Sequence, residues 1–450
     1  MSKRILFLGV GGIGVSALAF AAKNLGFEVS GYDLKSNDLT SRLESLGANI
    51  FSDFDDIKVS NYDMIVYSSA FPTTHHIITE AQKLNTKCLQ RAMFLAILMD
   101  DFSHSIAVTG THGKTTTSSI LATMLSSLDP SSSFVVGGEV KHSESNMEIN
   151  GTDKLVLEAD ESDASFLYLN PQSAIITNID LDHMSTYQNS YDTLLDNFYN
   201  FASKESIESL YICIDDSGCK DLLSKYSLDK NIITYGFAKD SDAVIDDYRI
   251  EGSSAHFSIS CRGNNIGLST LLPGNHNVLN AAVCVVKCLD LGFKISDIQQ
   301  SLATVEGVKR RFDIYKKTIN GINTTVVDDY GHHPAEVECC LSAMKDRFPG
   351  KDIIHIFQPH RYSRNRDLFD DWIRVLNNVD KLILMPTYAA SEEHDESASS
   401  KELAKHLPKC TVVTSFDEAI IEIEKIIDSN SVVLTQGAGD ITNLVGMLDD

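Results

Sequence analysis

Short apolar runs alternate with helix-like stretches along most of the chain. Residues 5–33 follow the pattern of a strand, a glycine-rich turn, a helix and a second strand, and residues 63–69 continue the alternation. Nearly continuous apolar strands are typical of parallel sheets, because helices cover both faces of such sheets. The pattern predicts a small Rossmann-like α/β domain over residues 1–102.

A second alternating set begins at Ile106. Its runs 155–160 and 174–180 are apolar enough for buried parallel strands, whereas shorter alternating runs between 208 and 272 indicate an antiparallel annex. Residues 274–292 have the pattern of a turn followed by a buried helix. We therefore expect a central parallel-sheet domain over residues 103–307.

A third set follows Gly307 and predicts a C-terminal Rossmann-like domain over residues 308–450. Within it, the polar stretch 391–400 predicts a mobile loop. The fold class expected for the whole chain is therefore α/β with three domains. The strands predicted for the third domain are 324–329, 353–357, 381–385 and 432–436.

The segment 106–120 carries the most specific chemical signal. An apolar strand leads through small residues into Gly113-Lys114-Thr115 and a helix, where backbone N–H groups, an ammonium and a hydroxyl can hold a triphosphate. A strict P-loop has glycine six residues before the lysine, but Val108 stands there and Gly110 lies four before. We interpret the segment as a variant P-loop; the alternative is a plain glycine-rich turn. The candidate ATP-binding residues here are Gly110, Thr111, His112, Gly113, Lys114, Thr115 and Thr116.

A second glycine-rich turn lies near the start of the chain. Gly9, Gly11 and Gly14 fit the dinucleotide fingerprint, and Asp33 follows at the end of the next strand. The same turn can accept another diphosphate, and a nucleotide-diphosphate substrate explains both glycine-rich turns better than NAD does. Simple helix packing is the third interpretation.

Acidic side chains follow two strands of the predicted central sheet. The carboxyl ends of parallel strands lie beside the phosphate loop, where Mg²⁺ needs oxygen ligands. Solvated loops and helix caps would account for about half of these residues, and the metal candidates are Glu158 and His183. The full set is Glu158, Asp160, Glu161 and Asp163 after one strand, and Asp180, Asp182 and His183 after the next.

The third domain carries polar clusters of its own. Cationic side chains concentrated within 360–366 indicate an anion site in an otherwise acidic chain. The pair His332-His333 could suggest zinc, but suitably spaced Cys or His partners are missing, so a structural or surface role is favoured. The clusters comprise Asp328, Asp329, Tyr330, His332 and His333, and then His360, Arg361, Arg364 and Arg366.

Composition restricts the possible partners. The 450 residues include 38 basic and 62 acidic side chains, a formal net charge of −24, which disfavours nucleic acid and anionic membranes. The chain contains no apolar run near the roughly 18 residues of a membrane span and starts directly with a strand, so we expect a soluble cytoplasmic protein. The nine cysteines are expected to be reduced thiols, with Cys284, Cys288, Cys339 and Cys340 buried on helices.

Together these motifs resemble the Mur ligases, and the resemblance covers nearly the whole chain. It implies an enzyme that uses ATP to join an amino acid to a carboxylate through an acyl phosphate, and within the family it implies the branch that adds L-alanine to UDP-N-acetylmuramate for cell-wall peptidoglycan. The motifs that carry it are GVGGIGVSALA, GTHGKTTT, EADESDASFL, NIDLDHMSTY, GNHNVLNAA, KRRFD, DDYGHHPAEV, FQPHRYSRNRD and QGAGDI.

The resemblance also implies residue roles. Lys114 would hold the β- and γ-phosphates and Thr115 one Mg²⁺, with Glu158 and His183 holding a second Mg²⁺. The nucleotide and substrate residues implied in the same way are Asn277 and Asn280 for adenine, Arg311 and Asp329 for phosphate and ribose, Tyr330, His360, Arg361 and Arg364 for L-alanine, and Gly11, Gly12, Ile13, Gly14, Asp33, Ser68 and Ser69 for the UDP-sugar.

The sequence departs from the pattern of the related ligases at two places, and three other functions compete with this interpretation. Several related ligases carry a carbamylated lysine about fourteen residues after the histidine, but 192–201 offers no lysine, and the role of the acidic 391–400 stretch is open. The nearest rival is the recycling ligase that attaches a tripeptide to the same UDP-sugar, against which the PHRYSR motif fits a small amino-acid pocket. An NAD-dependent oxidoreductase or a non-catalytic nucleotide-sensing protein would leave the variant P-loop or the acidic cluster unexplained.

Overall fold

The computed structural model describes residues 3–68, 71–252, 254–390 and 392–448. The chain divides into two compact units. One unit comprises Met1–Tyr248, His256–Thr270 and Leu279–Val308, and the other comprises Arg249–Ala255, Leu271–Val278 and Lys309–Asp450. Three sheets of five, ten and six strands organise the fold.

The first sheet is the Rossmann-like sheet predicted from the sequence. Its five strands are all parallel, in the order β3-β2-β1-β4-β5, with residues such as Ile5 and Phe7 fully buried. The elements are β1 (Arg4–Leu8), α1 (Ile13–Asn24), β2 (Glu28–Tyr32), α2 (Asp38–Ser45), β3 (Asn49–Phe51), β4 (Met64–Tyr67), α3 (His76–Lys83), β5 (Lys87–Gln90) and α4 (Arg91–Met99).

The second sheet has ten strands, and its centre has the order β10-β6-β9, all parallel. One continuous apolar core joins it to the first sheet, because α1 and α4 pack on the central elements. The elements are β6 (His104–Thr109), α5 (Lys114–Leu128), β7 (Ser133–Val140), β8 (Ser145–Glu148), β9 (Lys154–Glu158), β10 (Ser173–Ile176), α6 (Tyr191–Ala202), β11 (Ser209–Cys213), α7 (Ser217–Lys225), β12 (Asn231–Gly236), β13 (Ala243–Glu251), β14 (Ser254–Cys261), β15 (Asn264–Thr270), α8 (Asn275–Asp290) and α9 (Ile295–Ala303).

The prediction of an antiparallel annex over 208–272 is wrong for its first part. Strands β11 and β12 extend the parallel sheet from β10, and β12 also pairs with β13 in parallel. The sequence analysis missed α7, which connects β11 to β12 and allows them to run in the same direction. The buried helix predicted within 274–292 is confirmed as α8.

The third sheet has the order β16-β17-β21-β18-β19-β20, with only the β16–β17 pair antiparallel among the described pairings. Its elements are β16 (Asp313–Ile319), β17 (Ile322–Asp329), α10 (Pro334–Arg347), β18 (Asp352–Phe357), α11 (Tyr362–Asp367), α12 (Phe369–Leu376), β19 (Lys381–Leu384), α13 (Ser400–Ala404), β20 (Cys410–Val412), α14 (Phe416–Ile426), β21 (Ser431–Gln436) and α15 (Asn443–Met447).

All nine cysteines are free thiols, as predicted. Cys284, Cys288 and Cys340 are buried, but Cys339 is exposed, which corrects the prediction that both members of the second pair are buried. Cys340 packs in the apolar core of its unit, while Cys339, the adjacent residue on α10, points in a different direction. Among the described residues, no helix combines the length and the apolar character that crossing a membrane requires.

Candidate functional site

The loop between β6 and α5 lies tightly against the end of β10. Gly110 has φ +131°, and a Cβ there would collide with Thr177 Oγ1 and lie 2.9 Å from the carbonyl oxygen of Asn178. Thr177 Oγ1 donates to the carbonyl of His112 at 2.6 Å, and the N–H of His112 donates to Asn178 Oδ1 at 2.8 Å. The loop therefore requires glycine at 110 because a neighbouring backbone approaches closely, and its shape is fixed by side chains of the next strand.

The same loop ends at a helix start that can bind anions. Gly113 is the N-cap of α5 with φ +81°, and Lys114, Thr115 and Thr116 form the first turn. The N–H of Asp180 donates to Thr111 Oγ1 at 2.8 Å, which adds another link to the strand end. Unpaired N–H groups at a helix start favour phosphate, so this variant P-loop retains the features that phosphate binding needs.

Lys114 is held inside the loop by an ion pair. Its Nζ lies 2.6 Å from Glu161 Oε2 and also donates to the carbonyls of Gly110 at 2.8 Å and Thr111 at 3.0 Å. The two side chains are 14% and 2% exposed. Burial opposes the charge on Lys114, but three nearby carboxylates, chiefly that of Glu161, hold its pKa above the ordinary value.

The acidic residues after β9 have distinct environments. Burial raises the pKa of Glu161, even though Lys114 opposes the shift. Asp160 is half-buried. Its partial burial would raise the pKa, but Lys114 and Arg91 hold the pKa of its carboxyl below the usual range, and Arg91 forms an ion pair with it at 2.9 Å. Glu161 was only one member of the predicted cluster, and its pairing with Lys114 was not foreseen.

Three of the predicted acidic residues act in local turns. Asp163 Oδ1 accepts the N–H of Ser165 at 3.0 Å, and Asp180 and Asp182 each accept the N–H of the residue that follows them, at 2.8 and 2.7 Å. Such side-chain to backbone bonds are the usual way in which aspartate stabilises turns. These turn bonds support the expectation that part of the cluster is structural, which stays a prediction.

The metal candidates surround the carboxyl edge of the central sheet. Glu158 ends β9, and its Oε2 accepts the N–H of Gly137 at 3.0 Å. Cβ atoms added at the two glycines 137 and 138 would lie 2.5 Å from Glu158 Oε1 and 3.0 Å from Thr115 Cγ2 respectively. Only glycine fits at these two positions, so the backbone there approaches both Glu158 and Thr115 closely. A carboxylate and a threonine side chain brought to the same glycine pair suit Mg²⁺, which prefers oxygen ligands.

His183 lies in the loop after β10, on the other side of β6 from Glu158. Its φ is +54°, and its Nε2 lies 3.4 Å from Asp182 Oδ2. Within the described parts of the chain, no three His, Cys, Asp or Glu side chains converge as a metal-binding group. The predicted ligands Thr115, Glu158 and His183 thus remain candidates placed by topology.

A cavity of about 210 Å³ connects the first glycine-rich turn to the acidic residues after β9. Gly14, Arg91, Gly137, Glu158 and Asp160 are among its lining residues. A Cβ on Gly14 would collide with the guanidinium of Arg91. The sequence analysis missed Arg91; its only signal was a basic residue directly after the end of a parallel strand.

The first glycine-rich turn is shaped by Asp33. The carboxylate Oδ2 accepts the N–H of Gly11 at 2.8 Å, and a Cβ on Gly11 would lie 2.8 Å from the same oxygen. Gly12 is the N-cap of α1, which Ile13 begins, and Ser68 lies near Gly9. Ser69 lies outside the described residues. Asp33 thus fixes the turn that was predicted to bind a diphosphate.

The two asparagines predicted for adenine are both buried on α8. Asn277 Nδ2 donates to the carbonyl of Pro273 at 2.7 Å. Asn280 lies beside the phosphate loop, with its Oδ1 3.0 Å from the position of a Cβ on Gly113. Of the two asparagines, Asn280 therefore lies next to the loop that carries Lys114. The hydrogen bond described for Asn277 goes to Pro273 instead.

In the second unit, Asp329 is buried at the end of β17 and accepts hydrogen bonds from three residues. Its two oxygens accept hydrogen bonds from Gln436 Nε2 at 2.7 Å, Gly331 N–H at 2.9 Å and Phe312 N–H at 3.1 Å. Burial raises the pKa of Asp329, although Arg311 opposes the shift. These bonds connect the strand end to the 310–312 segment, so the carboxylate already has a structural task in addition to any role toward ribose.

Arg311 lies over an aromatic ring beside a carboxylate. Its guanidinium carbon is 5.1 Å from the centre of the Tyr330 ring, and Arg310 is 4.9 Å from the same ring. Arg311 also lies 3.7 Å from Glu336 Oε1. This arrangement orients two cations around Tyr330.

The predicted amino-acid residues come together around two histidines. The His332 ring lies 5.3 Å from that of Tyr330 and 5.7 Å from that of His360, and His360 stacks on Tyr388. Burial lowers the pKa of His332 to about 4 and of His360 to about 3, so both imidazoles are neutral at pH 7. His333 instead caps α10 by accepting the N–H of Ala335, which confirms its structural role.

The cations of 360–366 have different partners. Arg364 Nη1 lies 3.3 Å from His360 Nδ1. Arg361 is exposed, has φ +70°, and donates its N–H to the carbonyl of Tyr388 at 2.8 Å. Arg366 forms an ion pair with Asp395. Arg364 is therefore the cation of this group that lies against the ring cluster.

Comparison with known proteins covers both units. Models of the Mur ligase family match residues 4–103 (Mur ligase family, catalytic domain), 108–288 (Mur ligase middle domain) and 310–439 (Mur ligase, glutamate ligase domain). The chain belongs to the Mur ligase family. It is 59% identical over 452 residues to the UDP-N-acetylmuramate--L-alanine ligase of Francisella philomiragia subsp. philomiragia, and 57% identical over 451 residues to that of Francisella tularensis subsp. novicida, with 100% of each chain covered in both cases.

Solved structures show the same Mur ligase fold. The UDP-N-acetylmuramate-alanine ligase of Thermotoga maritima superimposes with a TM-score of 0.81 at 27% identity, covering 99% of this chain and 98% of that one. A murein peptide ligase from Psychrobacter arcticus has a TM-score of 0.69 at 20% identity, again covering 99% and 98%. The three-domain α/β Mur ligase fold predicted from the sequence is confirmed.

Proposed function

We propose that this Mur ligase joins L-alanine to the carboxylate of UDP-N-acetylmuramate at the expense of ATP, a step of peptidoglycan precursor synthesis. The observation that carries the proposal is the 57–59% identity, over the full length, to two ligases named for this reaction. The rival functions lack such support. We further propose that the reaction takes place in the cytoplasm and that the domains are residues 1–102 for UDP-sugar, 103–307 for ATP and 308–450 for the amino acid.

Lys114 and the start of α5 bind the ATP phosphates. The Lys114 ammonium donates a hydrogen bond to the Gly110 carbonyl of the loop. The start of α5 supplies N–H donors for the phosphate oxygens. Thr111, His112, Gly113 and Thr116 complete the cradle. We assign Asn277 and Asn280 to adenine, and Arg311 and Asp329 to phosphate and ribose. Asp329 also holds the segment that carries Arg311.

Thr115, Glu158 and His183 would hold Mg²⁺. The metal would neutralise phosphate charge and so lower the repulsion between ATP and the substrate carboxylate. Glu158 is oriented for this task by the Gly137 N–H. The protein also supplies Lys114 against the same anions.

The UDP-sugar binds at the first glycine-rich turn. Gly11, Gly12, Ile13 and Gly14 let the diphosphate approach the start of α1, beside Asp33 and Ser68. Ser69, which lies outside the described residues, is assigned to the same ligand from the sequence alone. L-alanine binds in the second unit at Tyr330, His360, Arg361 and Arg364. A guanidinium can hold the amino-acid carboxylate in bidentate fashion, while neutral imidazoles leave the amine free of added positive charge.

The reaction then has two balanced steps. The substrate carboxylate attacks the γ-phosphorus of ATP, which forms an acyl phosphate and releases ADP. The neutral amine of L-alanine attacks the acyl carbon, the C–O bond to phosphate breaks, and the amine loses a proton as inorganic phosphate leaves. The cationic side chains act by positioning and by stabilising negative charge.

A phosphate-release assay tests the proposal. UDP-N-acetylmuramate, ATP and Mg²⁺ are incubated with the protein and with each amino acid, or the tripeptide, in turn. We expect release that depends on L-alanine and on the UDP-sugar. Release that depends on the tripeptide alone would support the recycling ligase, and nicotinamide-dependent absorbance changes would support an oxidoreductase.

A further inference from the structure

Helix α11 carries Arg364 but is too short to be stable as an isolated helix. It has six residues, Tyr362–Asp367, whereas isolated helices shorter than about 12 residues are marginal in water. The residue before it, Arg361, has a left-handed backbone. Its geometry must therefore come from contacts with the rest of the unit. Apart from α12, which follows it directly, these contacts come from residues 387–390 and 392–400, termed here the 387–400 segment.

The strongest contacts join Glu392 and Ser363. Glu392 accepts the Ser363 N–H at 3.0 Å and the Ser363 Oγ–H at 2.5 Å. Burial opposes ionisation of Glu392, but the hydrogen bonds from Ser363 hold its pKa below the usual range. A charged acceptor with two donors from one residue fixes both the backbone and the side chain of that residue.

Neighbouring residues of α11 have their own partners in the same segment. Tyr362 Oη lies 2.9 Å from His394 Nδ1. Asn365, fully buried, donates from Nδ2 to the carbonyl of Ala398 at 2.9 Å. Arg366 forms an ion pair with Asp395.

Arg364 has a different environment from these four neighbours. Among the described residues, its hydrogen bonds go to His360, with Nη1 3.3 Å from Nδ1 and 3.4 Å from the carbonyl oxygen. The segment thus holds residues on both sides of Arg364 and leaves its guanidinium beside the ring of His360.

We propose that the 387–400 segment is a positioning element for the amino-acid pocket: it fixes α11 so that Arg364 meets the carboxylate of L-alanine in the bidentate orientation. This inference rests on the proposed function. Two acidic residues of the segment, Glu392 and Asp395, contact the helix directly. Bidentate recognition depends strongly on orientation, so a small rotation of α11 weakens amino-acid binding specifically.

The test compares Glu392→Ala with Glu393→Ala in steady-state kinetics. Glu393 is adjacent and exposed, so it serves as the matched control. We expect Glu392→Ala to raise the KM for L-alanine about tenfold, the size expected for losing a charge-assisted hydrogen bond, with kcat and the other two KM values within about twofold. Glu393→Ala should match the wild type.

A double-mutant cycle with Arg364→Lys separates positioning from general stability. If Glu392 acts through Arg364, Glu392→Ala should add little to the KM for L-alanine once the guanidinium is gone. Glu392→Gln, which keeps one acceptor for Ser363, should give an intermediate KM and serves as the test if the alanine variant does not fold.

The outcomes are distinct. An unchanged KM for L-alanine, an equal rise in all three KM values, or full additivity with Arg364→Lys would each overturn the inference. Failure of the proposed function would instead appear in the wild type, as phosphate release that does not depend on L-alanine.

Discussion

At the scale of single residues, the buried pair of Lys114 and Glu161 defines the phosphate loop. A lysine so little exposed needs a nearby carboxylate, because burying an unpaired charge is costly. Glu161 supplies that charge before any nucleotide binds. Burial also raises the pKa of Glu161, so the carboxyl can take up a proton if the lysine is removed.

Lys114→Ala should abolish ligase turnover while the fold persists. Loss of a preorganised charge at the transferred phosphate typically lowers kcat by about 10² or more. Phosphate release and circular dichroism measure activity and fold, with the exposed Lys220→Ala as the control. Phosphate release at the wild-type rate would remove Lys114 from the site.

Arg364→Lys should raise the KM for L-alanine far more than the KM for ATP or UDP-sugar. Lysine keeps the charge but cannot form the two parallel hydrogen bonds of a guanidinium. Steady-state kinetics with each substrate varied separately measures the effect. A loss confined to kcat and to the ATP dependence would instead assign Arg364 to phosphate.

At the scale of elements, α8 buries a lysine against the starts of two strands of the central sheet. Lys287 Nζ donates to Ser173 Oγ at 2.8 Å, lies 3.3 Å from His104 Nε2, and sits over the ring of Tyr211. Burial lowers the pKa of Lys287 to about 8, although Asp290, Cys288 and Glu208 oppose the shift.

Lys287 should make the free energy of unfolding depend on pH in the alkaline range. Between pH 8 and 10.5 the unfolded state binds the proton that the folded state has lost, so folding becomes more favourable as pH rises. Relative to Lys287→Met, the free energy of unfolding of the wild type should gain up to about 1.4 kcal/mol per pH unit in this window. Chemical denaturation at several pH values measures the difference. Parallel curves for wild type and Lys287→Met, as expected for the control Lys220→Met, would contradict it.

The elements themselves were largely predictable because their signals are local. The two glycine-rich turns and the strands around them follow from apolar runs and from glycine spacing in the sequence. The parallel pairing of β11 with β12 was not predictable in the same way. Its direction depends on the short amphipathic helix α7, which the sequence pattern did not reveal. Partners distant in sequence, such as Arg91 with Asp160 and Lys114 with Glu161, also leave no periodic signal.

The 391–400 stretch shows the same limit. Its polar composition predicts a mobile loop, but residues 392–400 include a 3₁₀ turn, Glu396–Ala398, and several hydrogen bonds to α11. Composition reports how a segment would behave if it were exposed, not which side chains it meets. The sequence thus indicated which types of residue the candidate site would contain. It did not indicate the contacts that hold those residues in place.

At the scale of the whole molecule, the two proposed nucleotide sites belong to different sheets. Asp33 shapes a turn of the five-stranded sheet, and Lys114 follows a strand of the ten-stranded sheet. The chain therefore divides its two proposed nucleotides between separate glycine-rich turns.

Asp33→Ala should weaken binding of UDP-N-acetylmuramate and leave ATP binding nearly unchanged. The substitution removes the acceptor for the Gly11 N–H and so loosens only the first turn. Paired titration calorimetry with each nucleotide measures both affinities, with the exposed Asp101→Ala as the control. Equal losses for both ligands would contradict the division.

The ion pair inside the phosphate loop also bears on selectivity among anions. Since Glu161 already pairs with Lys114, a chloride or sulfate that enters the loop must compete with this carboxylate and gains less Coulomb energy than it would beside an unpaired ammonium. A triphosphate, with several charges and many acceptor atoms, can compete with the internal carboxylate where a simple ion cannot. We therefore expect the loop to bind a triphosphate in preference to small inorganic anions.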